Sequence, residues 1–239
     1  MIDLHYVATS NGLKIAIALE EMELEYRAVT YELFSGDHLA PSFKAINPNH
    51  KLPAIVDLDP IGGGPPFSVF ETGAILLYLA EKTGLFASSD PRSRSTITQW
   101  LVWQVAGLGP MLGQAYHFVR YAPEGQDYPV DRYRREARRL LHVLDRQLRD
   151  SRFVAGDYSI ADMACWPWVQ NIGNIDLSFD EFPSTRRWSE FIGERPAVVR
   201  ALAQGSIPGS YLKRRMTLTS EQWSRLFGND LLNAASQYD

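Results

Sequence analysis

IDLHYVATSNGLKIAIALEEM, residues 2–22, changes hydrophobic period within a single turn. Ile2 to Val7 reads as a strand. Leu13 to Met22 carries Leu13, Ile15, Ala16, Ile17, Ala18, Leu19 and Met22, the pattern of a mostly buried helix. The turn between them, ATSNGLK at residues 8–14, has two readings. Thr9, Ser10 and Asn11 are preferred helix N-caps, and they are also polar groups at the place where a strand–turn–helix presents a reactive centre, although each is a weak nucleophile. Tyr26 to Leu33 alternates again, with Tyr26, Ala28 and Val29 inward, so the chain opens with a β-α-β unit whose parallel strands need a crossover.

Two more strands follow, Ala54 to Asp57 and Phe67 to Phe70. The stretch PIGGGPP, residues 60–66, separates them and allows only a hairpin return. ETGAILLYLAEKTG, residues 71–84, predicts a helix with Ile75, Leu76, Tyr78 and Leu79 on its apolar side and Gly84 as C-cap. These elements fill residues 1–84. After the linker SSDPRSRS the strands disappear, and residues 92–204 read as all-helical. Thr96 to Phe118 is apolar at helical spacing with an interruption at Gly109-Pro110, and Val130 to Leu148 places Tyr133, Ala137, Leu140, Leu141, Leu144 and Leu148 on one face. Ser159-Ile160-Ala161-Asp162 forms a capping box opening a buried helix that Pro167 should kink. Shorter helices are predicted near Ser184 to Gly193 and Ala197 to Gln204. The tail, residues 205–239, begins loop-like and ends in an amphipathic helix from Thr219 with Trp223, Leu226, Phe227, Leu231 and Leu232 on its apolar face.

Composition excludes several classes of function. With 239 residues, 45% of them hydrophobic and 22% charged, the chain can bury one large core or two modest ones. A net charge of −4 gives no footprint for nucleic acid or anionic lipid, despite the basic run Arg132 to Arg139. Neither a membrane span nor a leader segment is visible, so the expected location is the cytoplasm. The single cysteine, Cys165, rules out an internal disulfide framework and a multi-thiolate metal site, and no metal is expected. Cys165 lies in the apolar run ADMACWPW and reads as a packing residue, so thiol chemistry would have to borrow its sulfur.

Two further stretches carry candidate chemistry. In Asn49-His50-Lys51-Leu52-Pro53-Ala54, a proline at the mouth of a strand is either an ordinary trans residue or a cis residue that turns the preceding backbone outward, where an extended peptide-like ligand could pair with it. In Glu71-Thr72, an acid and a hydroxyl at a helix start either serve the helix dipole and its N–H groups or bind an amino acid, ammonium to the glutamate and carboxylate to the threonine.

Strand, turn, helix and strand, then Leu-Pro before a hairpin and Glu-Thr opening a helix, resemble the thioredoxin-like half of a glutathione transferase, and the helical half with its S-I-A-D extends the likeness over residues 1 to about 204. T-x-N-G in the first turn, N-x-K-L-P-A-I-V-D (49–57), F-E-T-G-A-I-L-L-Y-L-A-E-K-T-G-L-F (70–86) and Q-W-L-x-W-Q-x-x-G-L-G-P-M-x-G-Q (99–114) are similar to the nu class. The resemblance implies a glutathione-dependent disulfide reductase that lacks a catalytic cysteine and also the tyrosine or serine of other classes. It implies that Thr9 and Asn11 face the glutathione sulfur, that the Leu52 backbone, flanked by Lys51 and Pro53, pairs with the peptide, and that Glu71 and Thr72 hold its γ-glutamyl end. His38 stands where the class often has glutamine, implying a contact to the glycine end. Arg132 matches an arginine that reaches glutathione in the neighbouring subunit of a homodimer. Ser10 departs from the class, where proline is frequent, and the tail is longer than in short members.

The turn then acquires a chemical purpose. A thiol of pKa ~8.5 is mostly protonated at neutral pH, and a hydroxyl from Thr9, an amide from Asn11 and a helix N-terminus all favour the anion. One bound thiolate would attack a small disulfide and a second glutathione would resolve the product, releasing glutathione disulfide. Two other functions compete: conjugation of glutathione to an electrophile, in a pocket lined by Trp103, Tyr116, Phe118 and Trp166, and a glutathione-binding regulatory module with little turnover. For Arg132 the residues themselves offer a surface ion pair with Asp131 or Glu136 as the alternative to a ligand contact.

Overall fold

A computed structural model describes residues 1–32, 34–205 and 215–236. Its N-terminal part contains β1 (Ile2–Tyr6), α1 (Ser10–Glu21), β2 (Tyr26–Thr30), a 3-10 turn (Asp37–Leu39), α2 (Pro41–Lys44), β3 (Ala54–Asp57), β4 (Phe67–Phe70) and α3 (Thr72–Thr83). The strands form one mixed sheet in the order β2-β1-β3-β4. β1 pairs parallel with β2, Ile2 opposite Tyr26, and antiparallel with β3, Ile2 opposite Asp57; β3 and β4 close the hairpin with Ala54 opposite Phe70. The sheet is the thioredoxin-like arrangement that the resemblance implied.

Position in the sheet sets each strand's composition. β1 is central and all five of its residues are buried, whereas β2 is an edge strand with Arg27, Ala28 and Thr30 exposed. The inward placing of Ala28 is therefore wrong: an edge strand can be covered on few sides, and its half-buried residues are Tyr26 and Val29. Leu33, the predicted end of this strand, lies outside the described residues. At the far end of α3, Gly84 takes φ 71° and stops the helix as its C-cap position requires.

The remainder is helical: α4 (Pro91–Trp103), a π-helical segment (Gln104–Leu108), α5 (Gly109–Arg120), α6 (Asp127–Arg149), α7 (Ile160–Val169), α8 (Pro183–Gly193), α9 (Pro196–Gln204), α10 (Ser220–Phe227) and α11 (Asn229–Ser236). The predicted interruption at Gly109-Pro110 is not a break. The helical path runs on from α4 to α5 through a π turn placed just before the proline, which absorbs the missing N–H and the ring's conflict with the preceding turn. The single amphipathic helix expected in the tail is two helices, since Gly228-Asn229-Asp230 are turn formers and the Asp230 amide donates to Ser224 Oγ. Leu232, assigned to its apolar face, is 64% exposed. The predicted loop at residues 206–214 lies outside the described residues. Among the described residues no helix is long and apolar enough to cross a membrane, and no cluster of three or more His, Cys, Asp or Glu could hold a metal.

α1 joins the two halves. It packs against α3 on the sheet side and against α7 and α9 of the helical part, so every residue from Gly12 to Leu19 is buried. α7 is buried nearly throughout, and its capping box, Ser159 with Asp162, is present as predicted. The Asp162 carboxylate also accepts from the Val154 amide (2.9 Å) and the Trp188 indole (2.9 Å), so one buried side chain ties two other segments to the start of this helix.

Asp162→Ala strands the Val154, Ser159 and Trp188 donors in a dry core. The expected loss is about 3 kcal/mol or more, from about 1–3 kcal/mol for each buried unpaired group, read as a lowered urea midpoint. A loss under about 1 kcal/mol would mean that the donors find other partners.

Candidate functional site

A cavity of about 260 Å³ opens where the start of α1 meets α5 and α7, and its walls include Thr9, Asn11, Gly113, Tyr116, Arg120 and Trp168. A side chain at position 12 would bring Cβ to 2.0 Å from the Val7 carbonyl oxygen, so only glycine lets the first turn of α1 close over the end of β1. That closure sets Asn11 at the cavity wall. The Leu13 amide bonds to the Thr9 carbonyl (2.9 Å), leaving the amides of Ser10, Asn11 and Gly12 as the N-terminal donors without an intrahelical acceptor.

Capping does not account for the polar turn. Thr9 is at the N-cap in extended backbone and makes no side-chain cap bond. The same holds for Glu71 before α3, which sits at φ 68° and caps nothing. Thr72 is buried, and its hydroxyl accepts from Lys14 Nζ at 3.2 Å, which leaves its own proton free to donate elsewhere.

Lys14 lies in the core beside Trp168 and does not itself line the cavity. It is 2% exposed, and its ammonium also donates to Gln104 Oε1 at 2.6 Å. It stands 5.9 Å from the centre of the Trp168 ring. Burial pushes the amine down to about 7, with the Glu71 charge opposing. Gln104 opens the π turn and is fully buried where it meets this ammonium. Across the same interface Trp168 Nε1 donates to Asn11 Oδ1 at 3.1 Å.

Of the aromatic residues expected to line a substrate pocket, only Tyr116 reaches this cavity. Trp103 belongs to a separate depression along α4, Phe118 stacks on Tyr133 of α6 (5.4 Å, 9°), and Trp166 is 4% exposed with its indole bonded to the Ser189 carbonyl. Trp168 takes the place given to Trp166. Residues i and i+2 of a helix lie about 200° apart, so if one of these tryptophans faces the cavity the other faces away from it.

The bond before Pro53 is cis. Neither the amide nor the carbonyl of half-buried Leu52 makes a hydrogen bond among the described residues, while Asn47 pins the preceding loop through the Lys51 carbonyl (2.6 Å). Lys51 is exposed beside it. His38 is 4% exposed and does not line the cavity: it is folded into the 3-10 turn, where its carbonyl accepts from His50 Nδ1 (3.0 Å). Burial holds its imidazole below the ordinary histidine value, with Lys51 and His50 acting the same way. Arg132 is exposed on α6; Asp131 pairs with Arg135 and Glu136 with Arg139, and after the larger effect of Arg139 the Arg132 charge also helps hold the Glu136 carboxyl below its usual value. Cys165 is fully buried, and burial raises its thiol far above the ordinary range.

Lys14, Gln104 and Trp168 were not singled out in the sequence. Lys14 did leave a signal, because a lone charge inside a helix apolar on all sides must find buried partners.

Known proteins give the site its context. Residues 2–81 match the glutathione S-transferase N-terminal domain family and residues 110–196 the C-terminal domain family. The chain is 50% identical over 208 residues to the disulfide-bond oxidoreductase YfcG of Escherichia coli (strain K12), covering 87% of this chain and 97% of that protein. It superposes with a TM-score of 0.81 on a Pseudomonas putida glutathione transferase carrying one glutathione disulfide per subunit, 42% identical, over 87% of this chain and 92% of that one. A Pseudomonas fluorescens pf-5 member of the family with two glutathione bound gives a TM-score of 0.81 at 39% identity, over 84% of this chain and 92% of that one.

The buried amine has a pH signature. Unfolded, Lys14 titrates near about 10.4, so between about 7 and that value the unfolded chain binds the extra proton and raising the pH favours the folded state. Replacing it by methionine removes this term. The stability of the wild type relative to Lys14→Met should therefore rise from pH 7 to pH 9, with a limiting slope of about 1.4 kcal/mol per pH unit, in paired urea titrations. A gap that stays constant between those pH values would show that Lys14 keeps its charge when buried.

Proposed function

The chain belongs to the glutathione S-transferase family, and we propose that it is a nu-class, glutathione-dependent disulfide reductase that activates the glutathione thiol without a protein cysteine. One observation carries this reading: the Thr9 hydroxyl, the Asn11 amide and the start of α1 meet at one cavity, while the single cysteine is sealed in α7 with its thiol held protonated.

In this mechanism the unpaired Leu52 backbone takes the cysteinyl part of glutathione as an added strand, with Lys51 and Pro53 beside it. Glu71 pairs with the γ-glutamyl ammonium, and Thr72, whose oxygen already accepts from Lys14, donates its proton to the carboxylate. The sulfur then lies by Thr9 and Asn11 and ionises. The thiolate attacks one sulfur of the substrate disulfide, forming a mixed disulfide and expelling the other sulfur as thiolate. A second glutathione thiolate attacks the glutathione sulfur of that mixed disulfide. The products are glutathione disulfide and two substrate thiols, so two glutathiones supply the two electrons. The protein works in the cytoplasm, as a homodimer in which Arg132 of one subunit clamps a carboxylate of glutathione held by the other.

Conjugation of glutathione to an electrophile is the second reading, favoured by the Tyr116 and Trp168 wall of the same cavity. Turnover of a small disulfide against turnover of an aryl halide, with glutathione in both, separates them.

Asn11→Ala should lower kcat for disulfide reduction by up to about a hundredfold while leaving glutathione affinity within a few-fold, because the amide matters chiefly to the anion. Cys165→Ser, once shown to be folded, should turn over like the wild type. An inactive Cys165→Ser protein would overturn the mechanism, and equal losses in binding and rate would make Asn11 a simple binding group.

Arg132 is tested by mixing. Arg132→Ala subunits and subunits carrying Glu71→Gln with Thr72→Ala should, as heterodimers, regain roughly half the wild-type activity, since one site collects both defects and the other none. Heterodimers without recovered activity would sink the shared site.

A further inference from the structure

The disulfide-reductase reading requires that Asn11 present the correct end of its carboxamide to the sulfur. That is a real choice. The two ends have nearly the same shape, yet the NH2 end donates to a thiolate and the oxygen end repels it. Nothing in the backbone of α1 selects between them.

Trp168 makes the selection. An indole N–H can only donate, so the Asn11 atom 3.1 Å from Trp168 Nε1 is the oxygen, and the planar amide then turns its NH2 away from the indole, on a residue that lines the cavity. Two residues, Tyr116 and Lys14, hold Trp168. Its ring stacks on Tyr116 at 6.1 Å and 15°, the Tyr116 hydroxyl donates to the Trp168 carbonyl at 3.3 Å, and Lys14 lies 5.9 Å from the ring centre. Gly113 on α5 leaves the room it needs: a Cβ there would stand 3.3 Å from Trp168 Cη2. A ring so placed cannot swing its N–H elsewhere without losing the Tyr116 stacking and the Lys14 contact.

We propose that Trp168 is a positioning residue, whose indole N–H locks the Asn11 carboxamide with its NH2 end toward the glutathione sulfur. The helical half of the chain thereby sets the polarity of a donor that belongs to the thioredoxin-like half. This proposal rests on the thiolate reading of Asn11.

The test follows the ionisation of glutathione bound to the full-length protein, from the ultraviolet absorbance of its thiolate against pH. Trp168→Phe keeps a ring against Tyr116 and deletes the donor. It should raise the pH at which the bound thiol ionises by about one unit, a tenfold smaller thiolate fraction at pH values below both midpoints, with glutathione affinity within about threefold of wild type. In an Asn11→Ala background the same change should add nothing, because the group it orients is gone. Asn11→Asp leaves the indole packing untouched and its acceptor in place but turns an oxygen toward the sulfur. It should raise the midpoint more than Asn11→Ala. Should Trp168→Phe unfold, Gly113→Ala is the second variant: its Cβ would press within 3.3 Å of Trp168 Cη2 and shift the indole with Asn11 and Trp168 both present, and a folded Gly113→Ala protein with an unmoved midpoint would overturn the positioning role. If Asn11→Ala raises the midpoint and Trp168→Phe does not, or raises it equally with and without Asn11, the positioning role fails and the Asn11 reading stands. If Asn11→Ala leaves the midpoint unchanged, the thiolate reading fails and takes this proposal with it.

Discussion

Everything at the site depends on α1 being enclosed on all sides. The sheet with α3 covers one face and α7 with α9 the other, so from Gly12 to Leu19 the helix has no route to water. Such a helix must be apolar or must bring every polar group to a partner, because an unpaired buried charge costs several kcal/mol. Lys14 is the one charge in that stretch. Two neutral acceptors from two other helices, Thr72 and Gln104, meet its ammonium, and the low surroundings still drive its pKa down toward neutrality.

The same enclosure couples the two halves of the chain through polar contacts as well as packing. Lys14 on α1 donates across to Gln104, and Trp168 on α7 donates to Asn11 at the start of α1, while within the N-terminal half Lys14 also holds Thr72 at the start of α3. Glu21, at the far end of α1, is gripped by both N–H groups of Arg195 (2.5 and 2.8 Å) and by the Tyr158 hydroxyl (3.1 Å). The bonds from Gln104, Trp168, Arg195 and Tyr158 cross between the halves, and each loses its partner if the halves separate. Two helix starts, those of α1 and α3, are thus held in register by side chains that belong to neither turn. A ligand spanning both starts meets a site assembled before it arrives, so little of its binding energy is lost to ordering the protein.

Much of the fold was legible because it follows from period and punctuation. The switch from strand to helix over residues 2–22, the Gly-rich hairpin and the capping box at Ser159 are local patterns, and the structure contains all three. The errors lie where burial depends on remote segments. Ala28 was placed inward by alternation, but β2 is an edge strand and only topology says so. Gly109-Pro110 was read as a break, but a π turn before it carries the helix through. Among the tryptophans, Trp166 and Trp168 are indistinguishable by composition, and the packing of α8 claims the first while α1 and α5 claim the second.

The sequence by itself determined which residues are chemically able to act. A turn rich in hydroxyl and amide groups, a Leu-Pro strand entry, a Glu-Thr helix start and a single cysteine in an apolar run are all readable without coordinates, because identity and spacing along the chain are local facts. Only the tertiary structure decided how those groups are oriented. Thr9 and Glu71 cap nothing, Thr72 receives a proton donor from a helix 58 residues away in sequence, and Asn11 is turned by an indole 157 residues away. A hydrogen bond fixes direction as well as contact, and a direction imposed by a partner so distant in the chain exists only once the tertiary structure has formed.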